Sequence, residues 1–361
     1  MKKKRNFATM NKFVERLVNW YKISKRNLPW RNSTNPYFIW VSEIILQQTR
    51  VEQGLPYYLR FIDLFPTIEK LAQAQQQEVL NVWKGLGYYR RALNMHQAAQ
   101  QVVNDYKGKL PNSYHELLKL KGIGEYTAAA IASIAFGEKT PVVDGNVIRV
   151  MSRVFMLKGN KNNKAFKKQL TDIIKPSMQY LNPADVNQSL MELGACVCLP
   201  KKPACVTCPI KAFCKAYINN KVEQYPTITK KVEQKIIYFN YLVITHNSYV
   251  LMQLRKGNTI WKNMYQFPLI EENKNLNANE LKQNKYFKKH FSIEIDFIYE
   301  SDVYKHILSH RIIYAKYFIF KLKKDSKFPF EKIDIKELDK LPLPRLMEKI
   351  KNDAAEVLKS K

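Results

Sequence analysis

Leu117-Leu-Lys-Leu-Lys-Gly122-Ile-Gly124-Glu-Tyr126-Thr-Ala-Ala-Ala-Ile131 reads as a helix, a tight turn and a second helix. Gly122 and Gly124 allow a turn geometry that a Cβ would hinder. The amides freed at the start of the second helix make an anion site suited to a phosphate. An ordinary corner between two helices would carry the same Gly-x-Gly, so the turn does not decide its use. Two neighbours sharpen it: the small-residue helix Thr127–Ala135, and Asp144 a little further on.

Asp144 lies in Pro141-Val-Val-Asp-Gly-Asn-Val147. Behind it Val147, Val150, Met151, Val154 and Phe155 keep helical spacing, which places Asp144 at a helix N-cap. Capping alone would explain an aspartate there. The cap also surrounds the carboxylate with N–H donors, which is expected to keep it ionised. Upstream, Glu43 lies in Phe38-Ile-Trp-Val-Ser-Glu-Ile-Ile-Leu46. Its helical neighbours Ile39, Trp40, Leu46 and Gln47 include no basic partner. It is either a helix-surface glutamate or a buried carboxyl whose pKa is raised, as a general acid needs. One neutral and one anionic carboxyl are the pairing that cleaves glycosidic bonds.

Helical patterns follow one another from residue 10 to about Tyr217. The first spans 10–26 with Phe13, Leu17, Trp20 and Tyr21 on one face. Leu28-Pro29-Trp30-Arg31 breaks it, Asn35-Pro36 starts the next, and Gly85-Leu86-Gly87 and Gly108–Pro111 are turns. No alternating strand precedes residue 230, so this part is all-α. Val222–Lys235, interrupted by Pro226, reads as a linker. Beyond it, Ile236–Thr245, Tyr249–Leu254 and Ile312–Leu322 read as strands, with a turn at Gly257-Asn258. Glu271–Asn284 reads as polar and mobile, and Leu346–Leu358 as a closing helix. The chain thus divides into residues 1–221, a linker 222–235, and a smaller α+β domain 236–361.

The 361 residues carry 60 Lys+Arg against 31 Asp+Glu, a net charge of +29, which favours polyanionic partners such as nucleic acid or an anionic membrane. The basic start Met1–Met10 has no apolar run behind it, so no signal peptide is expected. No stretch reaches the ~18 apolar residues of a membrane helix. Five cysteines, an odd number crowded in one place, argue against a secreted disulfide framework. The chain reads as cytoplasmic.

Four of those cysteines, Cys198, Cys205, Cys208 and Cys214, are separated by six, two and five residues. Four thiolates on one centre mean a Cys₄ zinc site or an iron–sulfur cluster. Zinc ribbons bring two Cys-x-x-Cys knuckles together, and only Cys205–Cys208 forms one here. Cys196, two residues before the first, is a buried bystander or a substitute ligand.

These stretches together resemble the helix-hairpin-helix DNA glycosylases of the endonuclease III superfamily, and among them the MutY-type adenine glycosylases that act opposite 8-oxoguanine. The likeness covers most of residues 12–220, through LPWR, PYFIWVSEIILQQTRV, GLGYYRRA, LKGIGEYTAAAIASIAFG, VVDGNVIRV, NQSLMELGA and the cysteine loop. It implies a two-lobed all-α glycosylase domain whose loop 198–214 holds a 4Fe–4S cluster on Cys198, Cys205, Cys208 and Cys214. Glu43 resembles the acid that protonates adenine, and Asp144 the carboxylate that stabilises the sugar cation. Tyr126 and Asn146 resemble their supports. Arg31 and Gln188 resemble contacts to the flipped adenine. Gln48 and Tyr88 resemble residues wedged into the opened duplex, and Leu86, Gly122 and Gly124 count among the DNA-binding positions. Tyrosine at 126, where endonuclease III-like members carry a Schiff-base lysine, implies a monofunctional enzyme. Lys121 and Glu125 depart from the proline common at the hairpin, and Glu125 puts a negative charge near the phosphate site.

The C-terminal domain resembles the Nudix-like lesion-recognition domain of the same family. Trp261–Ile270 echoes its WxFP-type strand, and Leu308-Ser309-His310 its FSH motif, with Leu for Phe. No pyrophosphohydrolase box is present, so the domain is expected to bind and not hydrolyse. The resemblance implies a monomer acting on double-stranded DNA with A:8-oxoguanine or A:G mispairs. A bifunctional pyrimidine-lesion glycosylase and a non-catalytic iron–sulfur DNA-binding protein are the competing readings.

Overall fold

The computed structural model describes residues 2–160, 162–227, 233–257, 259–291 and 295–360, with side chains from Lys12 onward. Twelve helices come first among them: α1 Lys2–Ser24, α2 Pro36–Ile45, α3 Val51–Leu64, α4 Ile68–Gln73, α5 Gln76–Val82, α6 Arg90–Tyr106, α7 Tyr114–Leu117, α8 Glu125–Phe136, α9 Gly145–Phe155, α10 Lys164–Ile174, α11 Pro183–Cys196 and α12 Lys215–Ile218. The helix expected over 10–26 starts earlier, because no proline or glycine interrupts residues 2–24. Asn35 accepts from the amide of Tyr37 and Pro36 takes the first helical position, which starts α2 where the sequence indicates.

Contacts group the chain into two compact units, Met1–Gln73 with Asn94–Lys230, and Ala74–Leu93 with Lys231–Lys361. In the first unit α1, α9, α10 and α11 bury Phe13, Leu17, Val147, Met151, Leu170 and Leu190 in one core. Each such side chain contributes about 1.5–3 kcal/mol by leaving water. Gly194 lets α11 approach α9 closely, since a Cβ there would come 2.5 Å from Asn146 Cβ. The alanine-rich α8 packs on α2 in the same way, with Ala128, Ala130 and Ala132 fully buried.

The hairpin differs in detail from its expected form. Its first helix is the single turn α7, capped by the Ser113 hydroxyl, and residues 118–124 form the turn. Only Gly122 needs to be glycine for conformation: its φ is 76°, and a Cβ would meet Asn94 Cβ at 2.6 Å. Gly124 is the N-cap of α8 with an ordinary φ of −97° and open space around it.

The second unit holds β1 Lys235–His246, β2 Tyr249–Leu254, β3 Tyr265–Gln266, β4 Leu269–Glu272, β5 Ile295–Glu300, β6 Tyr304–Ile307, β7 Arg311–Leu322 and β8 Glu331–Asp334, with helices α13 Ala278–Gln283, α14 Lys285–His290 and α15 Arg345–Ser360. One path through the sheet runs β3-β2-β1-β7-β5, with β4 also on β1, β6 on β7 and β8 on β2. The long strands β1 and β7 pair in parallel from Lys235↔Arg311 to Thr245↔Lys321. Alternate residues face two cores, Val243 and Ile319 toward α15, Ile244 and Phe320 toward Leu281 and Phe287. Residues buried on both faces give near-continuous apolar runs, which is why these strands are legible in the sequence.

The stretch 271–284 is not a mobile loop. It completes β4 and forms α13, whose capping box pairs Asn277 with Glu280, while Leu276 and Leu281 are buried. Asn275 donates to the carbonyl oxygens of Phe239 and Tyr314, so its polarity is spent on the sheet. Residues 228–232 of the expected linker and Asn258 of the expected turn lie outside the described residues. Among the described residues no helix is long and apolar enough to cross a membrane.

Candidate active site

Glu43, on the last turn of α2, is 8% exposed. Tyr126, on the first turn of α8, donates its hydroxyl to Glu43 Oε2 at 2.5 Å. Burial pushes the Glu43 pKa up to about 7, with the Tyr126 bond and Arg31 pulling down and the charge of Asp144 adding to the rise. The apolar helix face around a lone glutamate therefore produces an acid poised near neutral pH. Burial also lifts the Tyr126 hydroxyl well above its ordinary pKa, so it remains a donor.

Asp144 caps α9, accepting from the Val147 amide at 2.7 Å and from Asn146 Nδ2 at 2.8 Å. Asn146 Oδ1 in turn accepts from Arg149. The cap was expected to hold Asp144 ionised. Burial raises its pKa, while the cap's amide bonds pull it back toward the ionised form. Asn187, fully buried on α11, accepts from the Val142 amide and donates to Thr140 O and Ser133 Oγ, which fixes the segment entering Asp144.

Arg31 and Gln188 share Tyr21 as a neighbour, and Arg31 is near enough to Glu43 to act on its charge. Arg31 donates to both oxygens of Glu192, at 3.0 and 2.6 Å, and Arg26 binds the same carboxylate. Tyr21 donates to Gln188 Oε1 at 2.5 Å, and its ring lies 5.4 Å from the Arg31 guanidinium. Glu192, Arg26 and Asn187 were not singled out from sequence, and Tyr21 was read only as part of an apolar helix face. A signal for two of them existed, since Glu192 stands four residues after Gln188 and Asn187 beside it in NQSLMELGA.

A cavity of about 420 Å³ opens beside Tyr126 and Val143, with Lys139, Lys164, Lys167, Lys168 and Lys175 around it against Glu125 and Glu138. Its cationic wall and the α8 N-terminus suit a phosphate backbone. Gln48, in the turn after α2, is held in the left-handed region at φ 55°. In the second unit Tyr88 has φ 50° and is 46% exposed, while Leu86 is 6% exposed and so packs inward. Tyr88 Oη lies 2.6 Å from Ser309 Oγ, in the exposed bend between β6 and β7 that also carries His310.

Cys198, Cys205, Cys208 and Cys214 line one small cavity with Val150, Arg153 and Tyr217. Burial pushes the Cys208 thiol up to about 11, with the other three thiols adding to the rise. Among the described residues no group of three or more His, Cys, Asp or Glu is arranged to hold a metal ion as it stands. Four thiols around one cavity are the donor set of a Cys₄ zinc site or of an iron–sulfur cluster. Arg153, 2% exposed, donates to Cys198 Sγ at 3.2 Å and to the carbonyls of Leu199 and Pro200. Cys196 is exposed and not buried, and it does not line this cavity.

Residues 41–176 match the HhH-GPD superfamily base excision DNA repair proteins, and residues 240–353 match the NUDIX domain. Adenine DNA glycosylase of Buchnera aphidicola subsp. Baizongia pistaciae is 37% identical over 306 residues, 84% of each chain. The same enzyme of Buchnera aphidicola subsp. Acyrthosiphon pisum is 34% identical over 346 residues, 94% of this chain and 96% of the relative. Among solved structures, a thermostable thymine-DNA glycosylase superposes with a TM-score of 0.53 at 29% identity, covering 59% of this chain and 98% of its own. Identity that runs through both the helical and the Nudix-like parts, on a chain that brings Glu43, Tyr126 and Asp144 together, places it: the chain belongs to the adenine DNA glycosylase family.

Proposed function

We propose that this chain hydrolyses the N-glycosidic bond of adenine mispaired with 8-oxoguanine or guanine in duplex DNA, and leaves the strand uncut. The observation that carries the reading is the hydrogen bond of Tyr126 to Glu43, with Asp144 close enough to perturb the same carboxyl. The phosphate backbone lies along the lysine-lined cavity and the hairpin amides, and adenine is extruded into the pocket at a cost of a few kcal/mol.

Glu43, protonated in the fraction allowed by a pKa of about 7, gives its proton to a ring nitrogen of adenine. The glycosidic electron pair leaves with the base, and a sugar cation remains. Asp144, in its ionised form, faces that cation, and Asn146 holds the carboxylate by one oxygen. Water adds to the cation and loses a proton. Tyr126 offers a hydroxyl where strand cutting would need an amine. Arg31 and Gln188 hold the base, and Gln48 and Tyr88, with the Leu86 turn, keep the duplex open.

Cys198, Cys205, Cys208 and Cys214 are the residues that would hold a 4Fe–4S cluster. When bound, the cluster supplies order to the 198–214 loop and its exposed Lys201 and Lys202. Ser309 and His310 read the base opposite adenine. The enzyme works as a monomer, with residues 1–221 as the excising domain, 222–235 as linker and 236–361 as the reading domain. Single-turnover incubation with A:8-oxoguanine, A:G and A:T duplexes, each split into alkali-treated and untreated halves, tests this. Alkali-dependent breaks at the mispaired adenine support it; no breaks, or breaks without alkali, reject it.

A further inference from the structure

Glu192 is 1% exposed and accepts five hydrogen bonds on two oxygens: from Arg26 N, Nε and Nη2 at 3.0, 2.9 and 2.7 Å, and from Arg31 Nη1 and Nη2 at 3.0 and 2.6 Å. Arg31 also donates to Arg26 O, which closes the group. A planar guanidinium held by both ends of a carboxylate has little freedom left to turn. Besides the two arginines, Tyr21 on α1 and Cys196 on α11 are the titratable groups near Glu192, with Asp185 acting on Tyr21 and Glu52 on α3 acting on Arg26.

The same group sits beside the excision site. The charged and titratable groups facing Glu43 are Tyr126 from α8, Asp144 from the start of α9, and Arg31 from the turn after α1. Two arginines and one carboxylate sum to one positive charge. A neutral side chain at 192 would leave two, in a region where charge is poorly screened.

We propose that Glu192 is a positioning residue of the excision site, holding Arg31 against the adenine pocket and cancelling arginine charge that would otherwise strip the proton from Glu43. Burial by itself would raise the Glu192 pKa, but the bonds from Arg26 and Arg31 outweigh it and hold the group at about 2, so its charge persists at any working pH. The inference rests on Glu43 being the acid.

The test is single-turnover excision by the full chain from an A:8-oxoguanine duplex between pH 5 and 9, with duplex affinity measured alongside. In Glu192→Gln the limb that falls with rising pH should move down by roughly half a unit or more, so that loss at pH 8 exceeds loss at pH 5.5 by about threefold or more. Arg26→Gln removes one cation from a side chain one-third exposed and should move the limb up. Glu192→Gln with Arg26→Gln should return it close to wild type. Losses equal at every pH in these variants would overturn the proposal. If Glu192→Gln does not fold, Arg26→Gln decides alone, and an unmoved limb overturns it. Glu43→Gln is run in parallel: excision at wild-type rate there overturns the acid reading itself, whereas an inactive Glu43→Gln with unmoved limbs overturns only the role of Glu192.

Discussion

Tyr126 donates its hydroxyl to Glu43 Oε2 across 2.5 Å, joining the first turn of α8 to the last turn of α2. One oxygen of the carboxyl is thereby fixed, and the other is left to carry the proton. Burial holds that proton to about pH 7, which makes the acid usable at neutral pH and costly to the fold above it.

That cost is measurable. The unfolded carboxyl titrates near 4.5 and the folded one near 7, so between those values the folded state binds more protons and stability falls as pH rises. Above pH 7 the full penalty, roughly 3 kcal/mol, remains. Glu43→Gln keeps an acceptor for Tyr126 and escapes the titration. It should melt at a higher temperature than wild type at pH 8 and at nearly the same temperature at pH 5, while excision falls by more than about tenfold at both. Calorimetry at the two pH values checks it, and a pH-independent difference would contradict it.

Tyr126→Phe separates the two duties of the tyrosine. The Tyr126 bond lowers the Glu43 pKa, so its loss should carry the falling limb of the pH–rate profile to higher pH. The maximal rate should drop about tenfold or more, because the carboxyl is no longer oriented. A limb that moves down would show that another group sets the Glu43 proton.

How much of this site was legible followed from how each group is held. Glu43 and Asp144 stood out because local spacing gives one an apolar face and the other a cap, and both survive as such. The meeting of Tyr126 with Glu43 depends on α8 packing on α2, and the seat of Asn146 beside Asp144 on Gly194 admitting α11 to α9, which no local pattern encodes. Glu192 was missed because its partners lie 161 and 166 residues away. In the second unit β1 and β7 were plain from apolar runs, whereas the two-residue β3 and the half-exposed β5 carry too little pattern to read. Glu271–Asn284 misled because its asparagines cap and bridge, so polarity there marks order.

The cysteines predict a brown protein with about four iron and four sulfide per chain. Cys198→Ser should lose the visible absorbance and much of the thermal stability. Cys196→Ser, at an exposed position outside the common cavity, should keep both. Colourless protein with one zinc per chain would reject the cluster.

The contact between Tyr88 and Ser309 gives the last prediction. Each is exposed, and each hydroxyl has the other at 2.6 Å. The Arg91 guanidinium lies 5.4 Å from the Tyr88 ring. In the proposed function the opposite base displaces this pairing to reach either group, and so replaces a bond already made. Adenine itself is an undamaged base, so selectivity has to come from its partner. A hydrogen bond to a feature that 8-oxoguanine has and guanine lacks is worth about 1–3 kcal/mol. Ser309→Ala removes one side of the pairing from an exposed bend, where folding has little to lose. The variant should excise from A:G at close to wild-type rate, while its preference in affinity for A:8-oxoguanine over A:G shrinks by roughly five- to a hundredfold. Tyr88→Phe, which keeps the ring and drops the hydroxyl, should lose far less preference, because in the proposed function the ring is the part that enters the opened duplex. Duplex affinities and single-turnover rates on both mispairs decide it, and an unchanged preference in Ser309→Ala would move lesion reading away from this bend.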